Sequence, residues 1–161
     1  SPPMVKLEAG AQQQFRVMRV KPSDKQTEEA YRLIVDELPA PDAKPRKGIQ
    51  LVMRYSLPLF VNVQNNAEPK LQWRAEKAAN GKAVLVAENT GNAHAQLSNI
   101  TFQTTSAKDA LTLANGLAGY VLPGNTWKRE LEVSPASLNQ GRLNATVNGM
   151  PIQTEVRFAA P

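Results

Sequence analysis

Few side chains in this sequence could do chemistry. His94 is the one histidine of 161 residues, and cysteine is absent. A histidine can shuttle protons or hold a metal. This one stands between Asn92 and Gln96 in a stretch that reads as a surface loop. A metal site needs three or four converging ligands, and no His/Cys cluster supplies them. A nucleophilic serine would be signalled by a Gly-x-Ser-x-Gly elbow, which the chain lacks. Glu28 and Glu29 are adjacent carboxylates within a polar run, so they read as solvent-facing rather than as an acid–base pair. Without cysteine, disulfides and thiolate chemistry are ruled out. No enzyme, no cofactor and no metal is expected from these residues.

What remains is recognition by the backbone. From Gly48 to Val61, Ile49, Leu51, Met53, Tyr55 and Leu57 alternate with Gln50, Arg54, Ser56 and Pro58, and Val52 is the one apolar exception. A period of two means a strand, because successive side chains point to opposite faces. Pro58 has no N–H for a ladder, which places the strand at a sheet edge or near its own end. A long edge bearing large apolar side chains invites aggregation. A protein that keeps one is expected to pair it with another chain by strand addition. Met53 suits such a surface, since its flexible thioether adapts to related grooves.

The elements around this strand read as all-β. Strands are expected over Gln13–Val20 and Tyr31–Leu38, with a turn at Leu7–Gly10 and polar loops over 21–30 and 39–47. Val63 to Pro69 reads as a linker, which puts a domain boundary between 1–63 and 64–161. Beyond it, seven short strands are expected: Lys70–Glu76, Ala83–Glu88, Gln96–Gln103, Gly119–Leu122, Trp127–Val133, Arg142–Val147 and Ile152–Phe158. Asn80-Gly81 and Asn148-Gly149 are hairpin dipeptides. Trp73 and Trp127 are expected in the core of this second unit, a β-sandwich. The first sixty residues hold only three expected strands, near the minimum for independent stability. This part is expected to borrow strands from elsewhere or to lack its natural beginning.

The net charge is +5, with Lys44, Arg46 and Lys47 the tightest basic group. No aromatics interleave with the basic residues, so nucleic acid is not an expected partner. The charge fits a surface that steers acidic partners. No apolar run reaches the roughly 18 residues of a spanning helix, so no membrane insertion is expected.

Several segments resemble the periplasmic pilus chaperones of the chaperone–usher family. They are Ser1-Pro2-Pro3 with Leu7 to Ala11 and Arg16-Val17, Glu29 to Leu33 with Glu37-Leu38-Pro39, and Arg54 to Val61. The second half adds Glu88 to Ala93, Tyr120 to Gly124 and Val147-Asn148-Gly149. The Tyr55-to-Val61 variant and the lack of cysteine look closest to the archaic, or alternative, branch. The resemblance implies two immunoglobulin-like β-sandwich domains in a boomerang arrangement, the first incomplete here because its opening strands are absent. It implies a non-enzymatic chaperone in the periplasm of a Gram-negative bacterium, which lends a strand to pilus subunits and delivers them to an outer-membrane usher. The donor side chains would be Ile49, Leu51, Met53 and Tyr55 on strand 48–61. In better-known members a basic residue that binds the subunit's C-terminal carboxylate falls where this chain has Pro58. Arg16, Arg32 and Arg54 are the substitutes offered by chemistry, since arginine binds a carboxylate through two hydrogen bonds. An incomplete first domain is also expected to self-associate or swap strands. The other reading is an adhesive or structural surface module that binds through loops.

Overall fold

The computed structural model describes residues 2–21, 23–39, 49, 51–61, 65–105, 108–133 and 140–158. These residues form nine strands and no helix. Strands β1 (Glu29–Asp36) and β2 (Arg54–Val61) pair antiparallel as a two-stranded sheet, from Glu29 opposite Val61 to Asp36 opposite Arg54. The other seven are β3 (Leu71–Lys77), β4 (Ala83–Asn89), β5 (Ala95–Thr104), β6 (Leu111–Val121), β7 (Thr126–Leu131), β8 (Gln140–Val147) and β9 (Met150–Arg157). They form a three-stranded sheet, β3-β4-β7, and a four-stranded sheet, β6-β5-β8-β9. Leu85, Leu97, Ile100, Phe102, Leu143 and Val156 close the core between the two sheets. Trp73 and Trp127 pack edge to face at its margin, 6.4 Å apart.

The seven strands expected beyond the linker are all present, and their differences have local causes. In β5 the core positions run Ala95, Leu97, then Ile100 and Phe102. Asn99, at a φ of 49°, is the extra residue of a bulge that returns Ile100 to the inner face. Its side-chain Oδ1 accepts a hydrogen bond from Gly116 N at 2.9 Å. Gly116 (φ 84°) sits inside β6, and β6 starts at Leu111 rather than Gly119. Asn148 and Gly149, both at positive φ, close the β8–β9 hairpin with Val147 opposite Met150.

The first third departs further from expectation. Gln13–Val20 is not a strand, because no neighbouring chain pairs with it among the described residues. The strand expected over 48–61 enters its ladder only at Arg54, because β1 ends at Asp36. One further contact extends the pairing: Glu37 N donates to Met53 O (2.8 Å), and Met53 N donates to the Glu37 carboxylate (3.0 Å). Gly48, Gln50 and the 62–64 step at the expected boundary lie outside the described residues.

The turn from β4 to β5 joins the parts. Asn89 is fully buried, and its carboxamide is satisfied on all sides. Nδ2 donates to Ala93 O (2.7 Å) and Val121 O (2.8 Å), while Oδ1 accepts from Gly91 N (3.0 Å) and Lys70 N (3.1 Å). Next to it, Asn92 Oδ1 accepts from Glu68 N at 2.8 Å. Gly91 lies so close to this incoming chain that a Cβ would stand 2.3 Å from Glu68 O. Replacing Asn89 by Ala leaves two buried carbonyls and two part-buried N–H groups without this partner, and an unpaired buried group costs about 1–3 kcal/mol. Asn89→Ala is thus expected to destabilise the sandwich by roughly 3 kcal/mol or more, read as a lower urea midpoint. A loss under about 1 kcal/mol would show that water replaces these bonds.

Candidate functional site

The β1–β2 hairpin has two unlike faces, fixed by its register. Residues directly opposite share a face. One face carries Tyr31, Leu33 and Val35 of β1 with Tyr55, Leu57 and Leu59 of β2. The other carries Arg32, Ile34 and Asp36 with Arg54, Ser56, Pro58 and Phe60. In this two-stranded sheet, β2 pairs with β1 along one edge, and no described strand occupies its other edge.

The four expected donor residues stand along the approach to that open edge. Ile49 is 92% exposed, Leu51 81%, Met53 52% and Tyr55 51%. Tyr55 is within the ladder, while Ile49, Leu51 and Met53 precede it. Val52 and Leu57 extend the solvated apolar surface. So many large apolar side chains in one short stretch make a contiguous apolar surface rather than scattered exposure.

The three arginines fall into different settings. Arg54 forms a two-point ion pair with Asp36, at 2.5 and 2.9 Å. Each partner stabilises the other's charged form: the Asp36 carboxyl is held below its ordinary range and the Arg54 guanidinium above its own. Its fork is therefore occupied within the hairpin. Arg32 stands directly across from Pro58, and its Nη1 lies 3.4 Å from the neutral Ser56 hydroxyl. Arg16 is exposed and lies outside the strands.

Three residues read as solvent-facing are not. Glu28 is buried, and its Oε1 accepts from the backbone N of His94 (3.3 Å) and meets His94 Nδ1 at 2.6 Å. His94 is half-buried, and its ring stacks on Phe60 with centroids 3.7 Å apart. Glu28 sits one residue before β1 and His94 one residue before β5, strand starts that the sequence places at Tyr31 and Gln96, so residue types alone gave no signal of the contact. Glu29 points to the other side of the hairpin. Its carboxylate accepts from Arg19 Nη1 (2.7 Å), the Ser23 hydroxyl (2.8 Å) and the Tyr31 hydroxyl (2.8 Å).

Residues 1–65 match the family model for the pili and flagellar-assembly chaperone, PapD N-terminal domain. Among solved structures, the chain is similar to a chain of the CsuC–CsuE chaperone–tip adhesion subunit pre-assembly complex, from archaic chaperone–usher Csu pili of Acinetobacter baumannii. That similarity has a TM-score of 0.57 and 26% sequence identity over 88% of this chain. The chain spans 65% of the length of that structure's chain. No curated protein matches. Both similarities agree with the resemblance seen in the residues, and the matched structure agrees with the all-β fold.

The Arg19, Ser23 and Tyr31 donors lower the Glu29 pKa from 4.5 to about 2. A lowered carboxyl contributes stability that is present above the unfolded value and lost as pH falls through the folded one. This contribution is thus whole above 4.5 and gone below about 2. Carbon-detected titration should give a Glu29 midpoint near 2, moved upward by Arg19→Gln. A wild-type midpoint near 4.5 would show that the cluster does not form in solution.

Proposed function

We propose that this chain is a periplasmic chaperone that binds pilus subunits by strand donation along β2 and hands them to an outer-membrane usher. The observation that carries the reading is the solvated apolar row Ile49, Leu51, Met53 and Tyr55, leading into a β2 edge that no described strand occupies. A subunit whose own sandwich lacks a strand has an apolar groove and unpaired edge groups. The donor's side chains fill the groove while its main chain satisfies those edges. Burying three or four such side chains contributes on the order of 5–10 kcal/mol before ordering costs. The matches to a chaperone domain and to a chaperone–subunit complex support this reading.

In this reading, residues 1–63 are part of a subunit-binding domain and 64–161 a second immunoglobulin-like domain. Arg32 is the best placed of the three arginines to hold a subunit's terminal carboxylate. It is directly opposite Pro58, where better-known members carry their basic anchor, and its nearby partner is a neutral hydroxyl. Arg54 would first have to leave Asp36. A second copy of the chain could use the same open edge, so self-association would compete with subunit capture.

The test is periplasmic co-expression of the tagged protein with the secreted products of neighbouring genes. Leu51→Asp is expected to abolish recovery of a small β-rich partner while the sandwich stays folded. Leu117→Asp, at a residue 61% exposed on the sandwich, is expected to leave recovery intact. The reverse pattern would favour an adhesive module that binds through the sandwich. Arg32→Gln is expected to weaken partner binding by roughly 1.5–3 kcal/mol, as for loss of a charge-assisted bond. An unchanged affinity would remove Arg32 as the anchor.

A further inference from the structure

Both strands of the hairpin are fastened to the sandwich at the same end, on one residue. Glu28, immediately before β1, donates its N–H to Asn92 O at 2.8 Å and holds the His94 ring with its carboxylate. Phe60, near the end of β2, lies on the face of that ring with the planes 13° apart. Tyr120 closes the cluster, 5.2 Å from Phe60 and 5.8 Å from His94. His94 is held in turn by the β8–β9 turn, where Asn148 Nδ2 donates to His94 O (3.3 Å). Asn148 Oδ1 also accepts from Gln96 N (2.7 Å), whose side chain donates to the Tyr120 hydroxyl (3.0 Å).

Among the described residues, the opposite end of the hairpin has no such fastening. Its bonds there, Arg54 with Asp36 and Glu37 with Met53, run within the hairpin itself. The hairpin is therefore a lever clamped at Phe60 and open at Tyr55 and beyond. From Phe60 to Tyr55 the strand rises roughly 17 Å, so a tilt of about 5° at the clamp moves the edge by about 1.5 Å. That displacement is enough to spoil hydrogen bonds whose donor–acceptor distance is held near 2.9 Å.

We propose that the Glu28–His94–Phe60 contact is a positioning joint. It fixes the direction in which the hairpin leaves the sandwich, and so sets how well the open β2 edge meets a partner's strand. The proposal rests on the strand-donation reading. The partner it concerns is an extended chain that joins β2 by main-chain hydrogen bonds. The stack holds the edge before the partner arrives, which lowers the ordering cost of binding. The joint therefore acts on residence time.

Because the chain has no cysteine, a pair of introduced cysteines takes spin labels at chosen places. Leu38→Cys and Glu155→Cys report the far end of the hairpin against the sandwich. The distance distribution is expected to be narrow in the otherwise unchanged protein. In Phe60→Leu, which keeps an apolar side chain but loses the stack, it should at least double in width. Phe60→Tyr should restore it. With the partner from the co-purification, Phe60→Leu should dissociate about fivefold faster or more, and Phe60→Tyr at the original rate. A merely structural role would shift the denaturation midpoint and leave the width unchanged. An unchanged width in Phe60→Leu overturns the joint. So does an unchanged dissociation rate. If no partner is recovered with the unsubstituted protein, strand donation is what fails, and with it the joint's role in binding.

Discussion

Everything in this molecule is referred to one buried carboxamide. Asn89 ends β4 and makes four hydrogen bonds to backbone groups of the segments that meet there: the incoming linker at Lys70, its own turn at Gly91 and Ala93, and the end of β6 at Val121. A side chain with two donors and a two-lone-pair acceptor can satisfy four groups, and this one does so with no exposure to water. A Ser would be too short and an Asp would lack donors. The turn that Asn89 shapes carries Asn92 and His94, and these receive the linker and the hairpin. The orientation of the β1–β2 hairpin is thus tied to a residue in the other sheet system.

The two units differ in how their apolar residues are covered. In the sandwich, even the outer side of the central strand β4 is shielded. Val84 and Val86 are buried, with Glu76, Arg74, Lys128 and Glu130 opposite them on the neighbouring strands. Arg74 bridges Glu76 and Glu88, and Lys128 also reaches Glu76, so charged heads pair in solvent while their aliphatic stems lie over valine. Among the described residues, the hairpin has no counterpart to this cover. Tyr31, Val35, Tyr55 and Leu57 remain exposed on one face of two strands. Two strands alone are marginal in water, which gives the anchorage at Glu28 and Phe60 its weight.

How much of this was legible in the sequence follows from what each signal depends on. The sandwich strands show plainly because a strand with one face in a core must alternate, and Ile152, Val156 and Phe158 do. The Asn148-Gly149 turn shows because two successive positive φ values call for those residue types. The first part of β6 was missed, because Gly116 at positive φ and the register shifts opposite it interrupt the alternation of a strand that runs through them. Gln13–Val20 misleads for the opposite reason. Its alternation is real, but a ladder needs a neighbour, and residue types say nothing about whether one is there. The row from Ile49 to Tyr55 was legible as exposed and apolar, whereas its lack of a ladder before Arg54 depends on where β1 ends. Glu28 and His94 were misread because each is polar among polar neighbours. Only their meeting, 66 positions apart in the sequence, takes them out of water.

An open apolar edge has to be kept from pairing with the wrong strand, and the sequence of β2 addresses that. Pro58 removes one rung from whichever side its nitrogen faces. Arg54 sets a charge at the mouth of the ladder, held in place by Asp36, and inward or flanking charge is a usual defence of exposed edges. Between them lie only Tyr55, Ser56 and Leu57, so the regular part of the edge that can pair without interruption is short. The apolar row continues before Arg54, outside the ladder. A strand that merely resembles β2 finds a short, interrupted edge. A partner with a groove for Ile49, Leu51 and Met53 gains from side chains as well as from the main chain, and ordering those residues is favourable only when the groove is there to take them.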